Sequence, residues 1–204
     1  MTVIIPSVRY DPEHKQKTRA RVLKAAASAI RARGPHRVGV AGVMKKAGLT
    51  HGGFYAHFDS KDAMVSAAIE RMFDDAYARW IATTECRAPA AGLRAYIDMY
   101  LAPAHRDARS AGCPVAALLA DLPRLTPACR RTFAAGLRRL TDAFAQHLSK
   151  LGRSRAASLA GSAISEMVGA LALARGEPDR ARSDAQLAAS RRLLKQRLGL
   201  EKRK

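Results

Sequence analysis

Acidic residues are scarce in this sequence. Only 17 Asp and Glu stand against 36 Lys and Arg, a formal net charge of +19 over 204 residues. That imbalance implies an anionic partner or a basic, self-repelling surface. Cysteine is sparse too: Cys86, Cys113 and Cys129 are odd in number and lack metal-ligand or redox-pair spacing. Reduced thiols in a cytoplasm are therefore expected. No apolar run approaches the ~18–20 residues of a membrane span, so a soluble chain with no membrane partner is expected. The stretch Met1 to Asp11 is too short in apolar residues for a secretory signal, and no small-residue cleavage site follows it. Period-2 alternation is essentially missing, which removes strands. Also missing are zinc-ligand spacing, a P-loop, a nucleophile elbow and a GxGxxG run after a strand. With the few carboxylates scattered at helix ends, an enzyme is not expected, nor a metal or other cofactor. No internal repeat or low-complexity segment is present.

What is present is basic charge at the front and dense helical punctuation throughout. The first 61 residues hold 12 Lys and Arg against 3 acids, the other 143 hold 24 against 14, so the charge density of the front is about twice that of the rest. A phosphate backbone would bind there. The tail Arg191–Lys204 is also basic, with seven Lys and Arg against Glu201, as a solvated helix end favoured by its dipole would be.

Asp11-Pro12-Glu13 reads as N-cap, N1 proline and first-turn acid of a helix that runs through Val22, Leu23, Ala26, Ala29 and Ile30 to Gly34-Pro35. A short second helix carries Val40, Val43, Met44 and Ala47 and ends at Gly48. Thr50 caps a third, barely two turns long, with Phe54, Tyr55 and Phe58. Asp59 or Ser60 caps a long fourth, striped by Met64, Val65, Ala68, Ile69, Met72, Phe73, Ala76 and Trp80. Leu93, Tyr96, Ile97, Tyr100 and Leu101 mark a fifth, which Pro103 must kink or end. Cys113-Pro114 opens a sixth that closes near Leu122-Pro123, and Thr126-Pro127 opens a seventh striped by Phe133, Leu137, Leu140, Phe144, Leu148 and Leu151. Leu159, Ala163, Met167, Ala170, Leu171 and Ala174 stripe an eighth. A capping box, Ser183-Asp184-Ala185-Gln186, starts a ninth carrying Leu187, Leu194 and Leu198.

This pattern predicts an all-α protein of about nine helices. Residues 1–60 form a three-helix DNA-binding head and residues 61–204 a helical effector-binding and dimerisation body. The informative stretch is Val40–Lys61, in which two short helices meet at a tight turn containing Gly48. That is a helix-turn-helix, whose second helix lies in the major groove. Val43, Met44, Ala47, Leu49, Phe54 and Phe58 supply the small core under it.

The run A-G-L-T-x-G-x-F-Y-x-H-F-x-S-K from Ala47 to Lys61, with Thr18 through Ala26 before it, resembles the head signature of the TetR family of bacterial regulators. Beyond the head the likeness is one of helix count and length. The segment Gly112-Cys113-Pro114-Val115-Ala116-Ala117-Leu118 resembles a branch that includes electrophile-responsive repressors. The resemblance implies roles that suit the chemistry of each residue. His51 would reach base edges from the first turn of the recognition helix. Gly52 and Gly53 would let that helix approach DNA closely, with its amides near a phosphate. Tyr55 would offer its hydroxyl to a phosphate oxygen, and Thr50 would cap the helix and touch the backbone. Lys61 is a cation in a first turn, where a phosphate would compensate for an unfavourable dipole. Lys45, Lys46 and Arg37 would be outer phosphate contacts, and His57 an orienting or capping residue. Gly39 departs from the family, which usually has a capping Ser or Thr there.

The resemblance further implies a homodimer through the last two helices, here by way of Leu159, Met167, Leu171, Leu187 and Leu194, binding a palindromic double-stranded operator. The other reading of these residues is an intrachain core. The fifth to eighth helices would enclose a pocket for an unknown small-molecule effector, lined by Tyr96, Met99, Tyr100, Leu118, Phe133 and Leu137, or else pack as solid core. Cys113 falls at the N-cap of the sixth helix, where free amides and upstream His105, Arg106 and Arg109 would favour a thiolate; its alternative is a small buried core residue. The expected function is a cytoplasmic, nucleoid-associated transcriptional regulator, most simply a repressor released by a small-molecule, electrophile or redox signal. A sequence-neutral nucleoid protein is the alternative.

Overall fold

The computed structural model describes residues 12–201. Among them are nine α-helices, two short 3-10 helices (η) and no strand, in the order α1 Pro12–Arg33, α2 Val40–Lys46, η1 His51–Ala56, α3 Lys61–Thr84, α4 Pro89–Tyr100, α5 Pro103–Asp107, α6 Pro114–Leu118, η2 Leu122–Arg124, α7 Pro127–Lys150, α8 Ala156–Gly176 and α9 Arg180–Arg197. The expected N-cap Asp11, the Met1–Asp11 stretch and the last three residues of the basic tail lie outside the described residues.

In the head, the face of α1 bearing Val22, Ala26 and Ile30 is buried against Val43 and Met44 of α2 and Phe54 of η1. Gly48 turns the chain between α2 and η1 at φ +71°, a left-handed conformation that a side chain would strain. Arg21 of α1 donates through Nη2 to the Ala47 carbonyl at 2.8 Å, satisfying an orphan acceptor at the end of α2. Across the 24 residues of α3, one stripe is buried from Met64 to Trp80. The helix packs on α1 at its front and on α7 further along, so it belongs to head and body alike. Arg31 locks that joint. Its Nη2 donates to the Met72 carbonyl and to Asp75 of α3, both at 3.1 Å.

In the body, α3 and α7 approach closely because Gly136 has no side chain: a Cβ there would stand 2.2 Å from Cγ of Phe73. Phe73 meets Phe133 edge-on at 5.2 Å, and Trp80 packs on Tyr96 and Phe144. Pro103 ends α4, as expected, and opens the separate α5. Ser60 and Thr126 cap as expected, accepting from the amides of Ala63 and Cys129.

Four expectations are corrected. The capping box at Ser183 does not start the last helix, which begins at Arg180 with Asp179 accepting from the Arg182 amide at 3.1 Å. Ser183 is buried inside the helix instead, donating to the Ala174 carbonyl at 2.7 Å and accepting from Arg106 at 2.6 Å. The third helix is a six-residue 3-10 helix, not an α-helix. One helix, Ala156–Gly176, is long and apolar enough to cross a membrane by length and composition, because its polar positions are mostly Ser and Gly. About half of it, 44% of its most apolar window, is buried in the protomer, as a helix packed on both neighbours would be. The fourth correction concerns the dimer. Met167, Leu171, Leu187 and Leu194 are at most 1% exposed, and Leu159 is half-buried. The four buried side chains belong to the core of the protomer, which is the intrachain reading of these residues, while Leu159 keeps part of its surface.

Candidate nucleic-acid interface and effector cavity

The recognition element is built from the inside outward. Phe54 is buried and stacks on Phe58 with ring centroids 5.6 Å apart, while its neighbour Tyr55 turns outward and is 71% exposed. Thr50, His51 and Gly52 are exposed on the same short element, and Gly53 is half-buried. Thr50 occupies the N-cap position, but its hydroxyl makes no capping bond, contrary to the expected cap. Lys61 is half-exposed at the first position of α3, beside the Ser60 cap. These residues present hydroxyls, an imidazole and a cation to solvent around a firmly packed Phe54 and Phe58.

Lys45 is exposed at the end of α2. Lys46 points elsewhere: its Nζ donates to Ser28 of α1 at 3.3 Å, in a groove shared with Arg21 and Lys24. His57 sits at the C-cap of η1, its amide donating to the Phe54 carbonyl at 2.9 Å. Its Nδ1 is buried without a hydrogen-bond partner among the described residues, and burial, helped by Lys15 and Arg19, holds its pKa below the ordinary imidazole value. The partners Arg21 and Ser28 lie 26 and 18 residues from the groups they hold, so no local pattern announces them.

The second site is a cavity in the body. It is lined by Tyr96, Met99 and Tyr100 of α4, His105, Cys113 and Leu137, with Arg79, and its volume is only about 20 Å³. That is room for one water, far below the ~300–1,000 Å³ of a drug-sized site. Leu118 and Phe133 do not line it; both are fully packed core, Phe133 against Phe73. Cys113 occupies the N-cap of α6 as expected and is buried.

The cations around Cys113 differ from expectation. Arg106 turns away into α9, bonded to Ser183 and Asp184, and Arg109 lines an outer cleft. Arg79 and Arg175 take their places in its electrostatic surroundings. His105 does line the cavity, its Nδ1 2.7 Å from the Tyr100 carbonyl, and burial lowers its pKa despite that bond. The Tyr100 hydroxyl is buried beside Cys113 without a hydrogen-bond partner among the described residues. Burial, and then Cys113, raise its pKa well above the ordinary phenol value, so it stays protonated.

Residues 22–68 match the family described as bacterial regulatory proteins, tetR family. Residues 89–186 match the C-terminal domain described as transcriptional regulator LmrA/YxaF-like. The chain belongs to the TetR family. Among curated relatives, the HTH-type transcriptional regulator TtgR of Pseudomonas putida is 36% identical over 67 residues, 33% of this chain and 32% of that protein. The uncharacterized HTH-type transcriptional regulator YdgC of Bacillus subtilis is 43% identical over 53 residues, 26% of this chain and 27% of that one. The chain thus matches about a third of the length of these relatives.

The TetR-family fold extends over nearly the whole molecule. The reduced form of E. coli NemR superposes with a TM-score of 0.77 at 22% identity, covering 88% of this chain and 96% of that one. A TetR transcriptional regulator from Chloroflexus aurantiacus gives 0.78 at 22% identity, covering 92% and 96%.

Proposed function

We propose that this TetR-family chain is a homodimeric repressor that reads a palindromic operator in the bacterial cytoplasm, on the nucleoid. One observation carries the reading. Thr50, His51, Gly52 and Tyr55 are exposed together on an element whose other face is buried core. Lys61 and Lys45 add phosphate contacts around it, and Lys46 adds charge from the α1 side.

The dimer face we propose is the outer stripe of α8: Ser158, Ser162, Ser165, Gly169 and Ala172, spaced by four and three, with Leu173 at 65% exposure and Leu193 of α9 at 54%. A Cβ added at Gly161 or Gly169 would meet nothing within 4 Å. Packing within the protomer therefore does not require either glycine, although each costs up to ~1 kcal/mol in a helix interior. A partner helix approaching closely across the two-fold axis supplies the reason.

For the effector, the small cavity favours a reagent that modifies Cys113 over a bulky ligand that merely fills space. The Cys113 sulfur would add to the electrophilic carbon of a quinone or enone, and the thiol proton would pass to the conjugated carbonyl system. The adduct cannot fit a cavity of about 20 Å³, so α4, α6 and then α3 would shift, separating the two heads.

Selection of bound duplexes from a random pool tests the function. The expected product is a two-fold symmetric motif with half-site centres ~34–36 Å apart. Uniform recovery of all sequences, with binding governed by salt alone, would indicate a sequence-neutral nucleoid protein instead.

A further inference from the structure

One charged cleft is used by neither site. Where the head meets the body, Arg31, Arg33, Arg37, Arg109 and Arg175 line an opening of about 530 Å³ in which Asp121 is the one carboxylate. The arginines arrive from separate elements: two from the last turn of α1, one from the loop after it, one from the loop before α6 and one from the end of α8.

Helix dipoles account for part of this. Arg31, Arg33 and Arg175 stand in the last turns of α1 and α8, where cations are favoured. Arg37 and Arg109 come from irregular backbone and have no such reason. Internal partners account for two of the five. Arg31 pairs with Asp75, and Arg175 donates to the carbonyls of Arg106 at 3.1 Å and His105 at 3.4 Å. Arg33, Arg37 and Arg109 are exposed and form no ion pair among the described residues, and neither does Asp121.

Two further observations point to a ligand. Arg31, with a side chain only 4% exposed, keeps a buried Nε that has no acceptor among the described residues. Arg175 has its pKa lowered, first by burial; Cys113 and Tyr100 oppose this and the neighbouring charge of Arg109 adds to it, so these two arginines stand close enough to repel.

DNA held at the recognition element is not the source of that anion. The front of α1, at Lys15 and Thr18, lines a groove with Thr50 and His57. Arg31 lies thirteen residues further along the same helix, a rise of ~20 Å, on the side facing α6 and α8. We propose that the cleft binds a small phosphate-bearing polyanion. The planar forks of several guanidiniums match phosphate oxygens in bidentate fashion. The walls come from α1 on the head side and from α6 and α8 on the body side, so the bound anion fixes one against the other.

Calorimetric titration of the full-length protein with pyrophosphate, at constant ionic strength and without DNA, tests the proposal. Saturable binding at one site per protomer is expected. Arg33→Ala combined with Arg109→Ala, both exposed and outside the core, should weaken it by about tenfold or more, whereas Lys45→Ala combined with Lys61→Ala should leave it unchanged. Absence of saturable binding would overturn the proposal. So would equal loss in both double variants, or loss only in the lysine variant, which would place the anion on the DNA-facing surface. If the arginine variant instead lowers affinity for non-specific duplex DNA as much as Lys61→Ala does, the cleft is an outer DNA contact and the proposal fails.

Discussion

The head and the body of this protein use opposite relations between apolar stripe and surface. In the head, the apolar residues of two short elements are consumed by a small core, and the residues left outside are the ones we propose to meet DNA. In the body, α8 buries Met167 and Leu171 inside the protomer and turns Ser158, Ser162, Ser165 and Gly169 outward. There, the buried large residues serve the protomer, and the partner face we propose combines small residues in regular spacing with the exposed Leu173 and Leu193.

The sharpest way to break this comparison is to put the same charge on both faces of α8. Met167→Glu should unfold the protomer or destabilise it by several kcal/mol, because an unpaired carboxylate would be buried among α7, α8 and α9. Leu173→Glu should leave chemical denaturation of the protomer nearly unchanged but give monomers in sedimentation. A folded monomeric Met167→Glu protein, or a dimeric Leu173→Glu protein, would reverse the assignment of the two faces.

Next in size is Gly136→Ala. Its methyl would stand 2.2 Å from Phe73 Cγ, so α3 and α7 must separate or Phe73 must leave its rotamer, at a cost of about 1–3 kcal/mol in urea denaturation. In contrast, Gly169→Ala should not destabilise the isolated protomer, since nothing stands within 4 Å of the added carbon.

Much of the head was legible in the sequence because its function rests on local chemistry. Gly48 must turn, Phe54 must bury and Tyr55 beside it must not, and the fifteen-residue run from Ala47 to Lys61 contains all three. Helix starts at Ser60 and Thr126 were legible for the same reason. The start at Arg180 was missed because Ser183 and Gln186 imitate a capping box, while the real cap, Asp179, follows directly on Pro178. The effector cavity was half legible. Periodicity places Tyr96, Tyr100, Leu118 and Phe133 on inward faces alike, and only packing separates a cavity wall from filled core. Arg79 and Arg175 were missed because each reaches the Cys113 region from a distant helix.

Acid should act on head and body together, with a smaller effect. Burial, then Lys15 and Arg19, lowers the pKa of His57 in the head. Burial, then Arg175 and Arg79, lowers that of His105 in the body against its bond to the Tyr100 carbonyl. The unfolded chain therefore binds more protons than the folded one just below the free imidazole pKa of ~6.5. Stability present above that pH is lost as the pH falls through it. Asp75 adds a later loss in more acid solution: burial pushes its carboxyl up, but hydrogen bonds from Arg71 and Arg31 outweigh this and hold it below its ordinary value. Thermal melts between pH 8 and pH 5 should show this decline, and His57→Gln and His105→Gln should each flatten part of it. Melts independent of pH in wild type would show that neither imidazole is protected from protonation.

The central claim, that the exposed element from Thr50 to Tyr55 reads sequence while cations around it only hold phosphate, is tested most directly on one selected operator and its single-base-pair variants. Lys61→Ala should weaken binding to all of them alike and reduce the salt slope of the dimer by roughly 2. His51→Ala should instead erase about 1–3 kcal/mol of discrimination at one position of each half-site and leave the other positions intact. Parallel loss across every duplex with His51→Ala, and an unchanged salt slope with Lys61→Ala, would contradict the account.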